Sequence, residues 1–292
     1  MGGRKKKEVF NVCKKLIDLH THSTCSDGSM SPRELVRHAA SKGLAAIALS
    51  DHDSVAGVKD AMDEGKRVGV EVVPAIELSV QSKTETHILG YYIDIDHPLL
   101  KKALESIMDT RYKRTVNTCK KLNELGFEVS MEEAYAIAPA GIIGRAHFAR
   151  IMMEKGYISS VKEGFDKWLG VGKPAYDGTQ ALTASEAVRL IKDIGGYAYV
   201  AHPHLIRISD EELKAFLTEL KSFGLDGIEG YYNEYTPEMQ EKFQSMAKEL
   251  GLKISGGTDF HAKMKPHIEI GIGQGNMAIP YSVLENIRNE ER

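Results

Sequence analysis

Cysteine is scarce in this 292-residue chain. Its three copies, Cys13, Cys25 and Cys119, are too few and too scattered for a disulfide framework, which suits a reducing, cytoplasmic compartment. Long apolar runs are missing too, and none approaches the roughly 20 residues a membrane helix needs. The basic start, MGGRKKKEVF, has no apolar stretch or cleavage site behind it, so residues 1–13 read as a flexible leader and not as a signal peptide. Neither charge sign dominates. A formal net charge of −3 gives no global case for nucleic acid or an anionic membrane as main partner, and any anionic substrate must be held by local cations or metals. No Gly-rich phosphate loop, internal repeat or low-complexity segment is present. What remains is an ordinary globular balance, 42% hydrophobic and 27% charged, long enough for one large α/β barrel or two domains.

Histidine is where the chain stands out, because of where the residues sit. Residues 16–28 read LIDLHTHSTCSDG: a short apolar run that turns polar at His20-Thr21-His22. In an extended segment alternate side chains share a face, so His20 and His22 point the same way and make half a metal site. Three more apolar runs end alike, at Ser50-Asp51-His52-Asp53, at Ala201-His202-Pro203-His204 and at Thr258-Asp259-Phe260-His261. Most of the eleven histidines therefore lie at strand ends, which scatter would not produce.

Around these clusters the chain alternates. Ser31-Pro32-Arg33-Glu34 opens a helix that Gly43 stops. Residues 44–49 form a run buried on both faces, and Asp53 is placed to cap a helix from Val55 to Val68. Residues 70–76 form a third strand with Glu77 as its first charged residue, and His87 to Ile93 form a fourth. This reads as parallel βαβ units. From Leu99 to about Gly172 the period becomes helical, and then the alternation resumes. The tail from Met264 reads as a loop with a terminal helix from Tyr281. A count of about seven strands, most followed by a helix, predicts a closed or nearly closed parallel barrel with its site at the carboxyl ends of the strands.

His20, His22, Asp27, His52, Glu77, His87, His202, Asp259 and His261 are the candidate ligands. They are too many for one ion and suit two or three divalent ions, with manganese, iron or zinc all compatible with mixed His/carboxylate donors. Ions about 3.5–4 Å apart share a hydroxide and clamp the attacking and leaving oxygens of a phosphoryl transfer, so no Ser or Cys nucleophile is needed. Asp27, Glu77, His202 and Asp259 are the catalytic candidates.

These motifs, with His87-Ile88-Leu89-Gly90, resemble the polymerase and histidinol phosphatase (PHP) family over nearly the whole chain. The resemblance implies an α/β fold, a distorted (β/α)7 barrel with an all-helical insertion, a multinuclear metal centre and phosphoesterase activity. It implies a barrel over 14–97 and 174–292, with a helical cap over 98–173. It further implies one ion on His20, His22, Glu77 and Asp259, a second on Glu77, His87 and His202, and a third on Asp27, His52 and His261. Gly144-Arg145-Ala146-His147, Glu154-Lys155-Gly156-Tyr157 and Gly172-Lys173-Pro174 are similar to a capped subgroup. That subgroup removes the 3′-phosphate from nucleoside 3′,5′-bisphosphates or trims short RNA from its 5′ end. Arg145, His147 and Lys173 become the candidate substrate contacts. His204, where the family usually carries a small residue, is open to a supporting or a substrate role. Histidinol phosphate, an oligonucleotide, or a decayed non-catalytic module are the competing readings, and the filled ligand set weighs against the last. No obligate protein partner is evident. His38 and His97 read as surface residues, Trp168 and Tyr231-Tyr232 as packing, and Asp51 and Asp53 as supporting or capping carboxylates.

Overall fold

The computed structural model describes residues 15–82, 84–138, 143–179 and 181–288; the leader, with Cys13, lies outside them. Eight strands make one sheet: β1 (Leu16–Thr21), β2 (Leu44–Leu49), β3 (Glu71–Ser79), β4 (His87–Tyr91), β5 (Tyr197–Val200), β6 (Gly227–Tyr232), β7 (Lys253–Gly257) and β8 (Ile279–Pro280), in the order β7-β6-β5-β4-β3-β2-β1-β8. A parallel bridge between Thr21 and Phe260, with the His22 amide donating to Phe260 O at 2.9 Å, brings β1 against the end of β7 and nearly closes the barrel. Gly257 permits that approach, since a Cβ there would stand 2.3 Å from the His20 backbone nitrogen.

Helices wrap the barrel. The first, α1 (Pro32–Ser41), starts at the expected capping box of Ser31 and Glu34, and α2 (Val58–Val68) ends at Gly69 in the left-handed region, φ 77°. Asp53 does not cap α2, which begins three residues later than expected behind Gly57, with no side-chain cap. Its carboxylate is used elsewhere: Oδ1 accepts from the Ser79 amide at 2.9 Å, and Oδ2 pairs with Arg111.

The expectation of a wholly parallel barrel needs correction at β4. No helix separates it from β3, and it pairs antiparallel with both β3 and β5. His87 is therefore the first residue of its strand and still stands at the rim where the parallel strands end. Between β4 and β5 come α3 (Pro98–Glu124), α4 (Met131–Ile137), α5 (Arg145–Glu154) and α6 (Val161–Gly164), the last continued by one π-turn over Phe165–Leu169. Then follow α7 (Ala184–Asp193), α8 (Asp210–Ser222) and α9 (Pro237–Glu249), one before each of β5, β6 and β7, and α10 (Ser282–Arg288) in the tail.

The apolar clusters follow this architecture. Ile17, Ala46, Val73, Leu89, Tyr199 and Ile279 meet inside the barrel, with Leu284 and Ile287 of α10 packed onto them. Leu35, Ile47 and Ala61 join β2 to α1 and α2, while Ile88, Val188, Leu217 and Phe243 join the opposite strands to α7, α8 and α9. The inserted helices have a core of their own around Leu122, Phe148, Met152 and Leu169. Helix α3 serves both sides, with Leu100 and Ile107 on the barrel and Cys119 and Leu122 in the inserted core. Among the described residues no helix is long and apolar enough to cross a membrane.

Candidate metal centre

Seven strands send residues to one rim. Glu77, with no exposed surface, stands at the centre. Its Oε2 lies 3.2 Å from His20 Nε2, 3.3 Å from His22 Nε2 and 3.1 Å from His52 Nδ1. Its Oε1 lies 2.9 Å from His87 Nδ1 and 3.1 Å from His202 Nε2. Asp259 Oδ1 approaches His22 Nε2 at 3.2 Å, and Asp27 Oδ1 lies 3.1 Å from His261 Nε2. All nine sequence-derived ligand candidates are thus brought together. Three overlapping groups have donor atoms within 4.8 Å of one another: His22, Asp27, His52 and His261; His20, His22 and Asp259; and His52, Glu77 and His87.

The donor set fits divalent cations. His20 Nε2, both ring nitrogens of His22, His52 Nδ1 and Glu77 Oε2 are buried without a hydrogen-bond partner. Each such group costs on the order of 1–3 kcal/mol unless something satisfies it. Cations seated among them would satisfy Glu77 Oε2 and one acceptor nitrogen of each ring that faces it.

The electrostatics match. Burial works against charge on Glu77, yet His52, His20 and His87 hold its carboxyl well below the usual range. Burial likewise opposes His22, but Asp259 and Glu77 carry it up to about 9. Asp27 is held low against burial by His261 and His52, whereas burial pushes His52 well below the ordinary imidazole value.

A supporting layer holds the donors. Asp51 accepts from the Ser23 amide at 2.7 Å and from the Ser23 and Ser26 hydroxyls at 2.6 Å each, which shapes the loop carrying Asp27. Buried Glu229 stands 2.9 Å from His20 Nδ1 and accepts the His202 backbone amide at 2.7 Å, holding the ring of one histidine and the backbone of the other from one carboxylate. Asp18 ties β1 to the end of β7 by accepting from Thr258 Oγ1 at 2.6 Å. Tyr232, expected as packing, donates its hydroxyl proton to Asp259 Oδ2 at 2.8 Å. Three non-glycine residues of the rim, Asp53, His202 and Asp259, sit at φ 51°, 28° and 54°. Such backbone persists only where neighbours hold it, and here the holders are Arg111, Glu229 and Tyr232. Sequence reasoning missed Asp18, Glu229 and Arg111. The available signal for the first two was a lone acid inside a buried strand.

Above the centre lies a cavity of about 520 Å³ between the rim and the inserted helices. Arg111, Arg114 and Arg145 line it from the helical side, and Phe165, Leu205 and Met264 add an apolar part. Burial, reinforced by Arg111, lowers the Arg114 guanidinium to about 10.

The four candidate substrate contacts separate. Arg145 reaches the cavity, its guanidinium 5.2 Å from the Tyr176 ring and 5.5 Å from the Phe165 ring. His147 is buried, and its Nδ1 accepts the Gly144 amide at 2.9 Å, so it starts its own helix. Lys173 is exposed and away from the described cavity wall. His204 Nε2 lies 3.1 Å from Glu234 Oε2, and its ring packs on Tyr232 and Tyr235 beside the wall. Among the other residues singled out, His38 is half-buried, 2.7 Å from Glu269, and His97 caps α3. Trp168 packs edge-on against Phe127 at 4.9 Å.

The family model of the PHP domain matches residues 18–253. A 5′-3′ exoribonuclease of Haemophilus influenzae is 35% identical over 85% of this chain and 90% of its own length. A 3′,5′-nucleoside bisphosphate phosphatase of Chromobacterium violaceum is 32% identical over 87% of this chain and 90% of its own. In three dimensions the chain superposes on a Bifidobacterium adolescentis protein, provisionally assigned as a metal-dependent phosphoesterase, with TM-score 0.83 at 25% identity over 94% of this chain and 95% of that one.

Proposed function

The chain belongs to the PHP family and is a hydrolase of phosphoesters, and on that premise we propose that it removes the 3′-phosphate of a nucleoside 3′,5′-bisphosphate to leave a nucleoside 5′-monophosphate. The observation that carries the reading is the placing of Arg111, Arg114 and Arg145 across one cavity from the Glu77 cluster. A substrate with two phosphates meets cations at both ends there. The apolar stretch at Phe165 and Leu205 suits a base or sugar face.

We assign His20, His22, Glu77 and Asp259 to one divalent ion, Glu77, His87 and His202 to a second, and Asp27, His52 and His261 to a third. Manganese, iron and zinc all suit these donors. When bound, such ions supply a Lewis acid for the phosphoryl oxygens and an activated water. The chain's own part is positioning. Glu77 presents its two oxygens to different imidazoles and so can serve two ions. Asp27 and Asp259 complete the charge balance, and Glu229 keeps His20 and His202 in register. The unit 98–173 acts as a cap over a barrel formed by 14–97 and 174–292, and Arg145 on it grips the phosphate that does not react.

A second reading, 5′ trimming of short RNA, is favoured by the likeness to the H. influenzae exoribonuclease. The test is phosphate release from nucleoside 3′,5′-bisphosphates and histidinol phosphate with added manganese, run beside shortening of a 5′-phosphorylated oligoribonucleotide. Preferred turnover of the bisphosphate supports the proposal. Faster shortening of the oligonucleotide selects the second reading, and preference for histidinol phosphate overturns both.

A further inference from the structure

Asp259 divides its two oxygens. Oδ1 faces the histidines, 3.2 Å from His22 Nε2 and 3.4 Å from His261 Nδ1. Oδ2 faces two donors, the Tyr232 hydroxyl at 2.8 Å and the Lys265 ammonium at 2.6 Å. These donors are not equivalent. Tyr232 is buried and uses its only proton on this bond. Lys265 stands in the segment after β7, lines the cavity, and keeps 36% of its side-chain surface exposed. An ammonium carries three donors, and Asp259 Oδ2 is its one hydrogen-bond acceptor among the described residues.

A brace for Asp259 would need no second, half-exposed donor, because the buried Tyr232 hydroxyl already holds the same oxygen. Lys265 instead carries unused donors at the wall of the chamber that must receive a phosphate.

The geometry points to Lys265 as a catalytic cation that touches a non-bridging oxygen of the reacting phosphate, held between that oxygen and Asp259 Oδ2. The inference deepens the phosphoesterase reading and rests on it, since Asp259 fixes where the ammonium stands. Charge in a phosphoryl transfer spreads over the equatorial oxygens, and a donor already fixed beside one of them lowers the barrier without reorganising. A lysine suits the task as a compact point charge with rotatable donors.

The test uses the metal-loaded full chain with Lys265→Met, beside Lys263→Met as an exposed control from the same segment. Three quantities are measured: metal content by elemental analysis, binding of inorganic phosphate by calorimetry, and kcat/KM on an aryl phosphate. Lys265→Met is expected to keep its metal, bind phosphate about tenfold more weakly and lose about ten- to hundredfold in kcat/KM. Lys265→Arg should recover part of both, and Lys263→Met should match the unmodified chain. Unchanged phosphate binding, or a loss of metal that accounts for the loss of activity, makes Lys265 a brace and overturns the inference. A measurement free of folding effects uses the unmodified loaded chain, in which inorganic phosphate should slow acetylation of Lys265 but not of Lys263, read by mass spectrometry. Equal rates with and without phosphate overturn it as well. If the unmodified chain hydrolyses esters while Lys265→Met is equally active, only this inference fails. If the unmodified chain binds no metal, the functional reading falls and takes this one with it.

Discussion

A carboxylate with no exposed surface survives in a protein only where its charge is matched, and Glu77 has five imidazoles within 3.3 Å. The match is imperfect without a cation, because Oε2 and the ring nitrogens facing it lack hydrogen-bond partners. Glu77→Gln keeps the shape and removes the charge. We expect it to lose hydrolysis and metal together, with elemental analysis and phosphate release falling in step; an active Glu77→Gln chain would sink the assignment. Arg145 makes a different kind of contact, with the part of the substrate that does not react. Arg145→Ala should lower kcat/KM on a 3′,5′-bisphosphate about ten- to hundredfold, the effect of a charge-assisted contact worth about 1.5–3 kcal/mol. An aryl phosphate, with no second phosphate, should be nearly unaffected. Equal losses on both substrates would place Arg145 in service of the metal centre or the fold.

At the scale of elements, strand existence was legible and strand direction was not. Residues 44–49 read as a buried strand from their unbroken apolar run. HILGY of β4 is equally apolar, yet five residues carry no mark of which way they run. The polar turn before it was short enough for a hairpin, and that clue is now the evident one. Eight of the nine ligand candidates stood out as a histidine or acid where an apolar run meets the rim, and Asp27 as the acid of the polar loop that follows His22. Arg111, Tyr232 and Lys265 lay outside any such pattern, since what places them is packing between distant segments. Asp53 shows the cost of local reasoning: a fair helix cap by position, it is claimed instead by Arg111 of α3. Both side chains of that pair are nearly or fully buried. Arg111→Met should therefore destabilise by about 3–5 kcal/mol, the usual penalty for stranding a buried charge, visible as a lower Tm. Between α1 and α2 a second acid is shared, with Glu64 2.6 Å from Arg37 Nε and also paired with Arg67. Arg67 and Arg37 draw its carboxyl down to about 2, from an unfolded value of about 4.3. The sign follows from the depression: the stability is present above the unfolded value and is lost as pH falls through about 2. Glu64→Gln should make the fall of Tm between those two pH values shallower.

For the molecule as a whole, the reversal at β4 sets the route of everything inserted after it. The chain leaves β4 at the end of the barrel remote from the metal centre, and α3, 27 residues long, climbs back about 40 Å. It passes the barrel at Leu100 and Ile107 and reaches the rim at Arg111 before entering the core of the inserted helices. On the way out the chain is fastened at the same rim, where the Gln81 amide donates to Leu182 O at 2.7 Å. Entry and exit are thus both pinned beside the end of β3, one by Asp53–Arg111 and the other by Gln81–Leu182. On the cap proposed above, the segment between those pins is expected to serve as an interchangeable headpiece on a fixed motor. Chimeras that exchange residues 112–181 for the matching segment of a relative would keep the climbing helix and both clasps, and would trade which ester is chosen while the hydrolytic machinery beneath stays the same.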